Sequence, residues 1–218
     1  MSARTSARAG GEQASAVEQR RRQALVDAAI AEIGEAGSLD VTVARIARRA
    51  GVSPALAHHY FGHKEQIFLA AMRHILARFA AAVRRALAEA DPRGPRARLE
   101  ALIRASFGPE QFEPEVVAAW LNFYVQARTL PEASRLLAIY GRRLRANLTH
   151  DLARLMPRPE AERASLVLAA LIDGCYLRQV LHERDLGRHA AIALVLGELD
   201  RMLAASPGAP ARPRLRPL

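Results

Sequence analysis

Prolines and glycines cut this chain into stretches in which apolar residues return every three or four positions, and nowhere between the cuts does polarity alternate residue by residue. A return of three to four lines side chains along one face of a helix, whereas a half-buried strand needs a period of two, so the chain is expected to be all-α, with about nine helices. The first starts at a capping box, Ser15 with Glu18, and ends at Gly37. Thr42 caps the second, and Ser53 with Pro54 at the first helical position opens a short third one that stops at Phe61-Gly62-His63. A fourth runs from Lys64 to near Ala90, and five more follow: Pro95 to Phe107, Pro114 to Arg128, Pro131 to Met156, Pro159 to His182 and Gly187 to Ala205. The domain plan is an arm over 1–14, a three-helix module over 15–63, a helical bundle over 64–205 and a Pro/Arg tail over 206–218. Both ends carry too little apolar surface to fold alone.

Within the module, Val43, Ile46, Ala47 and Ala50 fall on one helical face, and Gly51-Val52 makes a tight turn into the next helix. Two helices joined by a short glycine-containing turn form a helix-turn-helix, whose second helix enters the major groove of DNA. Ala47 is small enough to let the pair cross closely, and Val52 with Leu56 staples it. The segment from Thr42 through Ala47, Gly51, Ser53, Tyr60 and Phe61 to Lys64 resembles the helix-turn-helix of the TetR family of transcriptional regulators. That resemblance implies that Thr42, His59, Tyr60 and Lys64 grip the DNA backbone and that Pro54, Ala55 and His58 face base edges; Ser53 and Arg45 complete the DNA-facing set. At Pro54, Ala57 and His58 the chain departs from the usual family pattern. Alanine and proline offer only apolar contact to a thymine methyl, which leaves His58 as the candidate for a hydrogen bond to a base.

Three further segments, Ala118 to Tyr124, Arg142 to Asn147 and Leu168 to Arg178, are similar to the choline-responsive repressors of that family. The similarity covers roughly residues 20–200 and implies a small-molecule effector, a homodimer built on the last two helices and a pseudo-palindromic operator. The candidate ligand residues are Phe107, Trp120, Phe123, Tyr124, Tyr176 and Asp173, because aromatic faces hold quaternary ammonium groups and a carboxylate adds to the attraction. Trp120, Phe123 and Tyr124 also trace an ordinary core stripe, and Arg178 or a helix cap would satisfy Asp173, so cage and core both stand. An unrelated hydrophobic or metal effector, and activation instead of repression, stay open.

A net charge of +10 favours an acidic partner, but it is spread along the chain; a non-specific DNA-compacting protein is the rival it leaves. Arg4 and Arg8 could carry the arm into a minor groove or merely keep it soluble. Cys175 is the only cysteine, which excludes an internal disulfide and suits a small packed apolar group better than a redox sensor. Arg, Glu or His interrupts the apolar stretches before the roughly 20 residues a bilayer span needs, and no apolar signal core stands at the N-terminus, so the expectation is a cytoplasmic protein without a membrane partner. No nucleophile elbow or phosphate loop accompanies Ser106 or Ser165, and His58, His59 and His63 lack the partners of a metal site. No enzyme activity, metal or cofactor is expected.

Overall fold

The computed structural model describes residues 2–181 and 186–206, with side chains from residue 15 onward. Among them are nine α-helices and no strand: α1 Ser2–Ala36, α2 Val43–Arg49, α3 Pro54–Phe61, α4 Lys64–Ala90, α5 Pro95–Ser106, α6 Pro114–Gln126, α7 Pro131–Leu152, α8 Arg158–Val180 and α9 Arg188–Ala205. Single 3₁₀ turns follow α4 at Asp91–Arg93 and α5 at Pro109–Gln111. The expected tail beyond Ser206, and His182, where the eighth helix was expected to end, lie outside the described residues.

The chain divides into two compact units, Met1–Ala77 with Glu113–Arg135, and Arg78–Phe112 with Leu136–Leu218. The division does not follow the linear plan. Helix α4 gives its first half to one unit and its second half to the other, and α6 joins the unit that carries the helix-turn-helix. Helix α1 also begins at Ser2 instead of the Ser15 box, running through the residues expected as an arm. Alanine and arginine dominate residues 2–9, and both are strong helix formers.

In the first unit, Leu25, Ala29, Ile46, Ala47, Ala57, Ile67 and Ala71 form a buried core, with Val43, Val52, Tyr60 and Phe61 packed at its margin. Full burial of Ile46 or Leu25 contributes about 2–3 kcal/mol each. Thr42 caps α2 by accepting from Arg45 N at 3.2 Å. Gly51 takes φ +68, and Val52 N donates to Ala47 O at 3.0 Å, so the turn needs the residue without a Cβ. Helix α6 lies against α1 at Gly34, where a Cβ would sit 2.4 Å from the Glu115 Cα, and Asn122 Nδ2 donates to Gly37 O at 3.5 Å. That close approach is why α6 packs with a helix eighty residues upstream.

The second unit buries Phe79 and Val83 of α4 with Leu99, Leu102 and Ile103 of α5, Leu148 and Leu152 of α7, Leu168 and Ile172 of α8, and Val195 and Leu199 of α9. Arg98 on α5 pairs with Asp151 on α7 at 2.8 Å and with Asp91 in the turn after α4 at 2.7 Å. Asp151 is 1% exposed, so its charge depends on that arginine.

By length and composition, Lys64–Arg93 is long and apolar enough to cross a bilayer, which the interruptions at Arg73, His74 and Arg78 concealed in the sequence. Its apolar residues serve instead in cores. Ile67, Phe68, Leu69, Met72 and Ile75 are buried in the first unit, Phe79 and Val83 in the second.

Candidate functional site

Helix α3 exposes Pro54, Ala55, His58 and His59 and buries Ala57 completely against the core. Spacing of one and four residues puts Pro54, Ala55 and His58 on one outward face. Ser53 Oγ accepts from Leu56 N at 3.2 Å, as Thr42 Oγ1 does from Arg45 N. Each hydroxyl therefore caps its helix through a lone pair and keeps its own proton for a phosphate oxygen. His58 Nδ1 donates to Gly62 O at 2.9 Å, which fixes the ring at the C-terminal end of α3. In the neutral ring Nε2 is then an acceptor, suited to the exocyclic amine of adenine or cytosine. Tyr60 and Lys64 are half-buried at the margin of the same face, and the His59 and Tyr60 rings lie 5.6 Å apart.

Arg45, expected in the DNA-facing set, is paired within the protein. Its Nε donates to Glu32 on α1 at 2.5 Å, Arg49 reaches the same carboxylate at 2.9 Å, and Arg49 also pairs with Glu35. Glu32 has an 8% exposed side chain, so these pairs hold α2 against α1. The Arg49 hydrogen bond holds the Glu35 carboxyl below its usual 4.5. Its part of the tie is complete above that pH and is lost as pH falls through the lowered value.

Sequence reasoning missed Arg22. From α1 its guanidinium donates to Tyr60 O at 2.7 Å and stands over the Tyr60 and Phe61 rings at 5.6 and 5.2 Å. Nothing in the local sequence marks it, because it meets α3 across thirty-eight residues. Arg22→Ala is expected to weaken operator binding about fivefold to tenfold by freeing Tyr60, on the scale of one such contact. Arg22→Lys should restore part of that loss in anisotropy titrations, and an unchanged dissociation constant for the alanine variant would remove Arg22 from the site.

The aromatic candidates fall into two sets. In the first unit Trp120 meets Phe123 and Tyr124, each at 6.2 Å, and Phe123 packs edge-on against Phe68 at 4.7 Å. In the second unit Phe107 stacks on Tyr176 at 5.8 Å, and Phe112 meets both rings at 5.5 Å. Tyr176 OH donates to Ser106 O, while burial and the nearby Asp173 charge push its phenol pKa up. Asp173 is half-buried one turn earlier on α8. Phe107 and Phe123 have no exposed surface, whereas Tyr124 is 36% exposed. Cys175 is buried, and that burial raises its thiol pKa, as a packed apolar group requires.

Comparison with known proteins agrees with the geometry. Residues 25–71 match the bacterial regulatory proteins of the tetR family, and residues 95–204 match the C-terminal domain of BetI-type transcriptional repressors. The HTH-type transcriptional regulator BetI of Agrobacterium fabrum is 49% identical over 203 residues, 93% of this chain and 98% of that protein. BetI of Rhizobium meliloti is 49% identical over 189 residues, covering 85% and 91%. Among solved structures, a transcriptional regulator from Rhodococcus superposes with a TM-score of 0.72 at 23% identity, covering 87% of this chain and 97% of that one. One from Saccharomonospora viridis, in complex with choline, gives 0.68 at 21% identity, covering 82% and 95%.

Proposed function

Since the chain belongs to the TetR family of transcriptional regulators and carries a BetI-type repressor domain, we propose that a quaternary-ammonium alcohol of the choline kind releases it from a pseudo-palindromic operator. The outward face of α3 carries the DNA half of this reading. Pro54, Ala55 and His58 point away from a core that fixes the helix, and the capping hydroxyls of Thr42 and Ser53, with Tyr60 and Lys64, supply phosphate contacts around them. Such contacts set register while the base-facing side chains select sequence.

Two copies pair through α8 and α9. Leu166 and Leu177 on α8, Leu181 at its end and Leu194 on α9 are all about half exposed or more, a costly arrangement on a monomer that a twofold partner relieves. Pairing sets the two α3 helices about one DNA turn, roughly 34–36 Å, apart. Repression takes place where the operator is, in the cytoplasm.

Aromatic faces supply the attraction for the effector, about 1–2 kcal/mol for each desolvated contact with a quaternary ammonium. Trp120 with Tyr124, and Phe107 with Tyr176 beside Asp173, are the side chains assigned to it, and the choline-bound Saccharomonospora regulator supports the ligand class. Helix α4 passes from one unit to the other, with Lys64 at its start and Phe79 and Val83 in its second half. A ligand that prefers one setting of α4 by a few kcal/mol moves Lys64 off its phosphate and shifts the DNA equilibrium accordingly. The full burial of Phe107 and Phe123 among other rings favours a second reading, an uncharged hydrophobic effector.

The test is fluorescence anisotropy on duplex DNA from the protein's own upstream region, at fixed salt, with scrambled duplex as control. Choline is expected to raise the operator dissociation constant, and its uncharged isostere, with carbon in place of nitrogen, to leave it unchanged; the reverse would establish the hydrophobic effector. Trp120→Leu should keep operator binding and weaken the choline response about tenfold, the equivalent of one cation–π contact. Equal affinity for scrambled DNA would defeat the operator reading itself.

A further inference from the structure

Helices α7 and α8 together line an open groove of about 690 Å³ whose charged lining is Arg142, Arg145 and His150 from α7 with Arg158 and Glu162 from α8; Leu166, on the face through which two copies pair, borders it. Arg142 and Arg145 belong to the Arg142–Asn147 segment, to which neither DNA reading nor dimer pairing gives a role. Positions 142, 145 and 149 fall on one face of α7, so both guanidiniums and the Thr149 hydroxyl enter the groove from the same side.

The one carboxylate in the lining is already engaged. Glu162 accepts from Arg158 Nε at 3.0 Å, and the Ser165 hydroxyl donates to Glu162 O at 2.8 Å. Arg145 Nε finds only the Gly141 carbonyl of its own helix at 3.4 Å, and among the described residues neither Arg142 nor Arg145 has a carboxylate partner. Like charges three residues apart on a helix repel, and a third guanidinium faces them across the groove. Three guanidiniums against one spent carboxylate leave a surplus of positive charge that an anion would neutralise.

We propose that this groove binds a small multivalent oxyanion carrying phosphoryl groups, at a site separate from the DNA face and from the aromatic sets. Guanidinium forks match the paired oxygens of a phosphoryl group, Thr149 can donate a further hydrogen bond, and the volume lies within the range of small-molecule sites.

The probe is inorganic pyrophosphate, titrated calorimetrically into the full-length protein at constant ionic strength, with citrate as a carboxylate of comparable charge. One saturable pyrophosphate site per protomer is expected, weakened about tenfold or more in Arg142→Ala/Arg145→Ala and unchanged in Arg48→Ala, which removes an exposed cation from α2 instead. Melting curves and sedimentation of the double variant verify that fold and dimer persist. Absence of saturable heat at millimolar pyrophosphate, equal binding of citrate, or loss of binding in Arg48→Ala but not in the double variant would each overturn the assignment. So would a dimer that forms only when the groove is empty, since a second copy would then be its occupant.

Discussion

Arg98→Met is expected to destabilise the second unit by about 3–5 kcal/mol, the largest single effect we foresee, because it strands a buried charge. Asp151 is 1% exposed and receives both carboxylate hydrogen bonds from Arg98 Nε, at 2.8 and 3.1 Å. The pairing with Asp151 also raises the Arg98 pKa, so the arginine stays charged at any working pH. Arg154, at 3.6 Å and half exposed, is too far and too wet to replace it. The loss would appear as a drop in Tm of many degrees, since about 1 kcal/mol moves Tm by roughly 2–4 °C in a chain of this size. Arg98→Met/Asp151→Leu is the decisive companion: with both charges gone the cost should shrink to a fraction of the single variant's. An equal cost in the double variant would mean that packing, not charge, sets the value of the pair.

Gly34→Ala sets two opposing effects against each other, and their magnitudes decide the sign. In a helix interior the substitution ordinarily gains about 0.5–1 kcal/mol. Here the new Cβ would lie 2.4 Å from both the Cα and the Cβ of Glu115, and a backbone atom cannot swing aside as a side-chain tip can. Overpacking of this kind costs about 1–3 kcal/mol, so a net loss is expected, accompanied by separation of α6 from α1. Trp120 is the only tryptophan and sits on α6, so its fluorescence should shift in the variant without ligand. Gly141→Ala is the control. Its Cβ meets nothing within 4 Å, and a small gain in Tm is expected there. A Gly34→Ala protein as stable as Gly141→Ala would show that α6 does not bear on α1 as tightly as the geometry has it.

The helix-turn-helix was legible in sequence because each of its determinants is local. Thr42, Gly51, Ser53 and Pro54 act within four residues of themselves, as cap, left-handed turn, cap and first helical residue, and all four stand in those roles. The helix count and nearly every boundary were readable for the same reason: proline cannot continue a helix, and apolar period reports which face is buried. The base-facing set Pro54, Ala55 and His58 was implied by the family resemblance; the structure exposes all three and buries Ala57.

What the sequence could not yield are pairings between residues far apart in the chain. Glu32 ties Arg45 and Arg49 of α2 to α1, Arg22 came to stand over Tyr60, and Arg98 found Asp151. No period or motif encodes these, since each depends on where two helices come to rest. Gly34 opposite Glu115 likewise drew α6 into the first unit, which divided the aromatic residues that a linear reading had grouped. The sequence by itself determined the helices, their faces and the helix-turn-helix, because those are set by dihedral preference and burial over a few residues. Tertiary structure alone decided which charges are paired and which rings meet, because those energies depend on distances of a few ångströms between segments that the chain order leaves unconnected.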